Sequence, residues 1–456
     1  MVAVVPVMLV ASLVLAVLIL LYRPLPTIEA DLRLLGLDQR AEIVRDAWGV
    51  PHIFARTTHD LFYLQGYVVA QDRLFQIELL RRAGRGQLAA AIGPDGMDSD
   101  AYVVARGLAV AAEAESARLG APARAVAQAY ADGVNKFLEQ HGESLPLEFT
   151  LLGFRPAPWN VGDTLVVLAV LAEERTPASP LGRVVAGGGS DAGASCTALA
   201  GARTASGHPV LQGDPRLAGQ RDPSLWYAVA LSGPEDELAG FAAPGVPGIA
   251  IGHSRRIAWS FIAVPADPAD RADPADPADP GGAGVSLLRD LDAALALARA
   301  VDPATFRAAL AAARGVTPAY CYADAAGHIG TAAGSAAAFD PPGGEARQAR
   351  QPGAPAPPVA ITFRHTLDAV LPAALERWLS TGPYDPPSGG GLERIAVDLG
   401  DLDATRAVLP IGESGQPAGR HHGDQTAGWQ AGELHPLPLS RARLGPGEAT
   451  LVLRPR

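Results

Sequence analysis

The sequence predicts an α+β protein preceded by a single apolar helix, and three observations carry that reading. Residues Val2 to Tyr22 hold no charge. Between residues 41 and 140, short strand-like runs give way to long segments with helical spacing of apolar residues. From about Val184 to Pro280 the chain turns into short β-like pieces cut by Gly and Pro. The 456 residues are 48% hydrophobic, enough for a sizeable core and too many for a disordered chain. The net charge of −11 argues against a phosphate-tracking nucleic-acid binder. Gly (50) and Pro (40) are abundant and Lys136 is the single lysine, a bias of composition and not of function. Two cysteines, Cys196 and Cys321, allow at most one disulfide and no zinc cage.

Taken in order, the first element is the apolar run. About 20 apolar residues match a bilayer-spanning helix. No basic residue precedes the run, and Leu20-Leu21-Tyr22-Arg23 makes a poor signal cleavage site. An uncleaved transmembrane anchor over residues 1–23 is therefore expected, single-pass, with the bulk of the chain outside the cytoplasm. Arg23, Arg33 and Arg40 pull the other way under the positive-inside rule. Ala41 to Asp46 reads as a strand ended by Trp48-Gly49-Val50-Pro51, and His52 to Ala55 as a second. Thr58-His59-Asp60 supplies N-cap chemistry for a long helix from Leu61 to about Leu88, with Leu61, Leu64, Val68, Leu74, Ile77 and Leu80 at helical spacing. Two more helices are expected around Ala101–Leu119 and Pro122–Gln140. Ser224–Leu231 and Ile249–Ile262 read as strands. The Pro-Ala-Asp triplets of 265–282 and the Ala/Gly/Pro-rich stretch 331–358 read as exposed loops.

Several of these segments also carry motifs. Arg45-Asp46-Ala47-Trp48-Gly49-Val50-Pro51-His52-Ile53, then Gly66 to Gln76 (GYVVAQDRLFQ) and Arg81-Arg82, resemble the opening of the penicillin acylase family. Tyr130 to Asn135, Leu145-Pro146-Leu147-Glu148-Phe149, Leu152-Gly153-Phe154 and Pro158-Trp159 continue the resemblance. Arg203 to Gly207, Asp214 to Leu217, Pro244 to Gly248, Gly252-His253, Ala258-Trp259 and Tyr322-Ala323-Asp324 resemble its catalytic chain. Gly412 to Pro417 with His421, Asp424-Gln425 and Trp429 resembles its C-terminal end. The resemblance implies a four-layer αββα N-terminal-nucleophile hydrolase, made as a precursor that cuts itself in two. It divides the chain into an N-terminal segment, 24–194, and a C-terminal segment, 195–456. A serine hydroxyl is a weak nucleophile until a base takes its proton, and a free α-amine titrating near ~8 can do so. Before cleavage that nitrogen is an amide.

The junction departs from the family's Gly-Ser-Asn-x-Trp. Aligned without gaps, the nucleophile position falls on Ala194; one deletion restores Ser195 behind Gly193-Ala194. Cys196 is a third candidate, and an uncut small-residue loop over Gly187–Ala200 a fourth reading. The resemblance assigns an oxyanion-hole N–H to Ala263 and adds an asparagine for which no segment after Asp324 provides a match. Asn135 and Asn160 are the only asparagines in the chain. Arg216 stands where a His or Gln is usual. A structural calcium is implied on Asp267 and Asp270, which also open the acidic triplet run, while the family's glutamate ligand has no clear counterpart near Gly182. The positions that the resemblance would place in the acyl pocket, Ala172 and Thr176, are small.

Other polar residues read more simply. Arg81, Arg82 and Arg85 fit a solvated helix C-terminus favoured by the dipole. His421-His422 lacks the carboxylate spacing of a metal site, and Gly187-Gly188-Gly189-Ser190 lacks the frame of a phosphate loop. Two functions follow. One is an amidohydrolase cleaving the acyl-amide bond of a small molecule, of the beta-lactam or N-acyl amide class, with Ser195 as nucleophile and base. The other is an inactive membrane-anchored paralogue acting as a binding or partner protein.

Overall fold

A computed structural model describes residues 4–173, 180–181, 194–204, 206–215, 223–262, 290–314, 318–333, 336–340, 347–349, 394–409, 421, 434–444 and 449–455. The apolar run forms helix α1 (Val4–Tyr22). At about 1.5 Å per residue its 19 residues reach about 28 Å, against a hydrocarbon core near 30 Å. Among the described residues no helix is long and apolar enough to cross a membrane, so the expected transmembrane anchor and its membrane partner are not supported.

The N-terminal segment then lays down β1 (Ala30–Leu34), β2 (Ala41–Arg45) and β3 (Pro51–Phe54) before α2 (Thr58–Arg85). Thr57, one residue ahead of the expected cap, accepts the Asp60 N–H, and Gly86 closes the helix in the left-handed conformation. The expected Ala101–Leu119 helix is two: α4 (Met97–Arg106) and α5 (Leu108–Arg118), parted by Gly107 at φ +63°. A short α3 (Ala89–Ile92) precedes them. Next come α6 (Ala121–His141), α7 (Leu147–Leu152) and α8 (Val161–Glu173). Helices α2 and α6 touch backbone to backbone. A Cβ on Gly66 would lie 2.0 Å from the Tyr130 carbonyl oxygen, and one on Gly133 would lie 1.8 Å from that of Tyr63. No other residue fits at either point.

The remaining chain is mostly β. Strands β4 (Ala194–Leu199), β5 (Val210–Pro215), β6 (Tyr227–Ser232), β7 (Glu237–Ala242), β8 (Ile251–His253) and β9 (Ile257–Ile262) lead to helices α9 (Leu291–Ala298) and α10 (Pro303–Ala312). After these come β10 (Ala319–Asp324), β11 (Ile329–Ala333), β12 (Ala336–Asp340), β13 (Arg347–Ala349), β14 (Arg394–Asp398), β15 (Arg406–Val408), β16 (His435–Pro436) and β17 (Ala449–Pro455). The 331–358 stretch expected as loop thus holds β12, β13 and the end of β11; residues 265–282 lie outside the described residues.

Two sheets result. The first has eleven strands in the order β1-β17-β2-β3-β6-β7-β8-β9-β10-β11-β12, the second six in the order β13-β4-β5-β14-β15-β16. Pairings β1·β17 and β3·β6 are parallel and the rest antiparallel. Strands β4 and β5 pack on β9 and β10, so the sheets face one another, and α2 packs on β3 and β6 of the first. Among the described residues the helices that pack on a sheet do so on the first. The described architecture is helices, sheet, sheet: three of the four expected layers.

Candidate active site

Ser195 is the second residue of β4, an inner strand of the second sheet, and is paired with Asp214 of β5. Cys196 follows opposite Gly213 and is buried. A Cβ on Gly213 would lie 2.4 Å from Ser260 Oγ of β9, so this glycine lets the sheets close just beside the candidate nucleophile. Strand β9 ends at Ile262, immediately ahead of Ala263. Ala263, Asp267, Asp270, Arg216, Thr176 and Gly182 lie outside the described residues; Ala172 is buried on α8. The structure thus brings together the strand that carries Ser195 and the strand that leads to Ala263.

An apolar cavity of about 40 Å³ opens where α8 and α9 meet the first sheet, lined by Leu168, Ile249, Ala250, Trp259, Leu297 and Tyr320. The Trp259 indole donates to the Ala250 carbonyl at 3.0 Å, fixing one wall. Burial pushes the Tyr320 phenol far above its usual range, so it stays a neutral hydroxyl on that wall. Two of the sequence motifs, Pro244–Gly248 and Ala258–Trp259, contribute walls, but α8, α9 and β10 supply the rest, which no local motif joins to them.

The sheets are tied by a buried polar contact. His253 Nε2 and Thr405 Oγ1 sit 3.0 Å apart, joining β8 to the turn before β15. Burial drives the His253 pKa down to about 4, so its imidazole is neutral at pH 7. Asp403, close by, accepts hydrogen bonds from the Leu439 and Ser440 N–H groups and the Ser440 hydroxyl.

The arginines at the end of α2 are not a solvated helix end. Arg81 is buried, pairs with Glu78, and reaches Asp163 of α8 at 3.7 Å and the Ala157 carbonyl at 3.1 Å. Arg82 Nε binds Glu78 at 2.6 Å and Arg85 Nε binds Asp163 at 2.7 Å. Sequence reading missed this because Asp163 lies some 80 residues away. The group lashes α8 onto α2. Among the described residues Asp38, His59 and Asp60 are the one carboxylate–imidazole group with metal-like spacing. The Asp60 carboxylate is already taken by the Asp38 and Gln39 N–H groups at 2.8 and 2.9 Å, a loop clamp.

The family model for penicillin amidase matches residues 40–280 and 363–445, well over half of the chain. The chain belongs to the penicillin amidase family. It is similar to penicillin acylase 2 proenzyme of Pseudomonas sp. (strain SE83), 30% identical over 292 residues covering 52% of this chain and 38% of that protein. It is also similar to acyl-homoserine lactone acylase QuiP of Pseudomonas aeruginosa, 27% identical over 291 residues, 51% of this chain and 34% of that one. The chain thus spans between a third and two-fifths of the length of these relatives. Among solved structures, thermostable penicillin G acylase from Alcaligenes faecalis matches at 34% identity over 31% of this chain and 77% of that chain, with a TM-score of 0.29.

Proposed function

We propose that the chain is an acyl-amide hydrolase that acts after cleavage of the Ala194–Ser195 bond. What carries the reading is the position of Ser195, one residue into an inner strand of the second sheet, inside the stretch that matches the penicillin amidase family. Strand pairing holds the Ser195 backbone on both sides of the event, so the freed α-amine and the hydroxyl belong to one residue held by a sheet.

The steps follow from that residue. The α-amine accepts the hydroxyl proton as Ser195 Oγ attacks the acyl carbonyl. The carbonyl oxygen gains negative charge, which the Ala263 N–H stabilises. The ammonium returns its proton to the leaving amine, the C–N bond breaks, and the acyl group remains as an ester on Oγ. Water, deprotonated by the same amine, then attacks the ester and frees the carboxylic acid. The Pseudomonas relatives are named for penicillin and acyl-homoserine lactone, and an N-acyl amide is the bond class we assign here.

Asp267 and Asp270 are proposed to hold a structural calcium ion. Two carboxylates offer at most four of the six to eight oxygens calcium takes, so backbone carbonyls and water supply the rest. We also propose that the protein acts outside the cytoplasm.

The absence of any asparagine beyond Asn160 favours a second reading, an uncut chain that binds an acyl amide or a partner without turnover. Loss of one oxyanion donor costs on the order of 10²–10³ in rate. Intact mass and N-terminal sequencing of the purified chain separate the two. Two fragments, the second opening at Ser195, are expected, and Ser195→Ala abolishes them. A single uncut chain leaves no free amine and overturns the hydrolase reading.

A further inference from the structure

We propose that Cys196 and Cys321 are an oxidisable pair that forms a disulfide between the two sheets. Cys196 on β4 pairs with Gly213 on β5, and Cys321 on β10 pairs with Ser260 on β9. Side chains of directly opposed residues in an antiparallel pair share one face. The missing Cβ of Gly213 points at Ser260, 2.6 Å from its Cβ, so all four residues face the space between the sheets. That contact puts the Gly213 and Ser260 Cα atoms no more than about 6 Å apart, inside the Cα range of disulfides. Strand β4 packs on both β9 and β10, while β5 packs chiefly on β9. Cys196 and Cys321 thus lie one strand spacing from Gly213 and Ser260 respectively, on strands of facing sheets that touch, with their side chains on the inter-sheet face. Neither is in a disulfide in this structure, and both are buried.

The oxidant is a small-molecule disulfide such as oxidised glutathione. The Cys196 thiolate attacks one of its sulfurs, forming a mixed disulfide and releasing one glutathione thiolate. The Cys321 thiolate then attacks Cys196 Sγ, the Sγ–Sγ bond forms, and the second glutathione leaves. The two protein protons end on the two glutathione thiols: two protein thiols are oxidised and one glutathione disulfide is reduced. Exchange takes place as the chain folds, before the sheets close over both sulfurs. The bond pins β4 to the first sheet one residue after Ser195, and closes a loop that spans the segment from β4 to β10.

The test uses the wild-type full chain, refolded with oxidised and reduced glutathione, shown to be folded by a cooperative melt, then quenched, denatured and treated with a maleimide. The expected result is no maleimide uptake, a mass lower by two hydrogen atoms, and a peptide linking Cys196 to Cys321. Dithiothreitol before labelling restores two reactive thiols. A folded chain with two maleimide-reactive thiols, or one carrying glutathione on either cysteine, overturns the proposal.

Discussion

Replacing Glu148 by glutamine is expected to change how stability responds to acidity. Glu148 sits in the first turn of α7, beside Phe149, whose ring meets Phe75 and Phe154 edge-on at 5.5 and 5.3 Å. It is buried, and its Oε2 has no hydrogen-bond partner among the described residues. Burial lifts its pKa from 4.5 to about 7, its own backbone N–H opposing only weakly. The native state therefore holds a proton that the unfolded chain releases, and stability falls as pH rises from 4.5 to about 7. At 1.36 kcal/mol per pH unit the loss amounts to about 3 kcal/mol. His253 acts in the opposite sense. Its pKa is lowered to about 4, so the native state sheds a proton the unfolded chain keeps, and stability rises between about 4 and 6.5 by a similar amount. In wild type the two slopes nearly cancel. Glu148→Gln removes one, and the variant should gain on wild type steadily between pH 4.5 and 7, by about 3 kcal/mol in all. Urea midpoints at four pH values for both proteins measure this directly. Parallel profiles across that window would refute the burial argument for Glu148.

Three further outcomes follow from the packing. Gly133→Ala drives a methyl group into the Tyr63 carbonyl and should cost at least about 3 kcal/mol, or abolish soluble expression. Gly107→Ala meets nothing within 4 Å and bears only its left-handed φ of +63°, so about 1–2 kcal/mol is expected; equal midpoints for the two variants would show that the α2–α6 contact is looser than described. Arg81→Met leaves Arg85 as the one cation on Asp163 among the described residues, beside the Asn160 N–H it already accepts, and raises Glu78 further above its usual range, where burial already holds it; a loss of about 3 kcal/mol in thermal or urea unfolding is expected, and a change below about 1 kcal/mol would mean the network is solvated.

What could be read in the sequence depended on whether the signal was local. Helix α2 was legible because its apolar residues recur at helical spacing and a Thr-rich start precedes them, although the face reading understated it: both flanks are covered, by β3 and β6 on one side and α6 and α8 on the others. Helix α8 was not read as an element. Residues 161–172 are buried all round, so no polar stripe marks a period. Strands β12 and β13 hid in an Ala- and Gly-rich stretch without side-chain alternation, and β17 pairs with residues some 400 positions away. The apolar start was read correctly as a helix, but spacing alone could not fix its working length. At the candidate site, resemblance pointed to Ser195 as one candidate, but the strand that carries it, Ala194–Leu199, went unread in a run of small residues that also fitted a loop. The cavity under Trp259 and the ties from Arg81 to Asp163 and from His253 to Thr405 need contacts over tens to hundreds of residues, which no local motif encodes.

The same long-range pairing bears on whether a cut at residue 194 is compatible with a stable protein. The N-terminal segment supplies β1, β2 and β3, yet none of them makes a sheet alone: β17 is inserted between β1 and β2, and β3 continues into β6. The Arg73 guanidinium of α2 donates to the Ser224 and Trp226 carbonyls at 2.6 and 3.4 Å, and Gln65 bonds both ways with the Gly248 backbone at 2.9 Å. Every one of these contacts joins a residue before position 194 to one after it. Breaking the single peptide bond ahead of Ser195 therefore removes none of the interactions that hold the two pieces together. What the cut does release is one terminal amine on β4, while the pairing of β4 with β5 keeps that terminus registered against Asp214. Under the function proposed above, the chain would exchange a covalent link for an amine at Ser195 and keep these contacts.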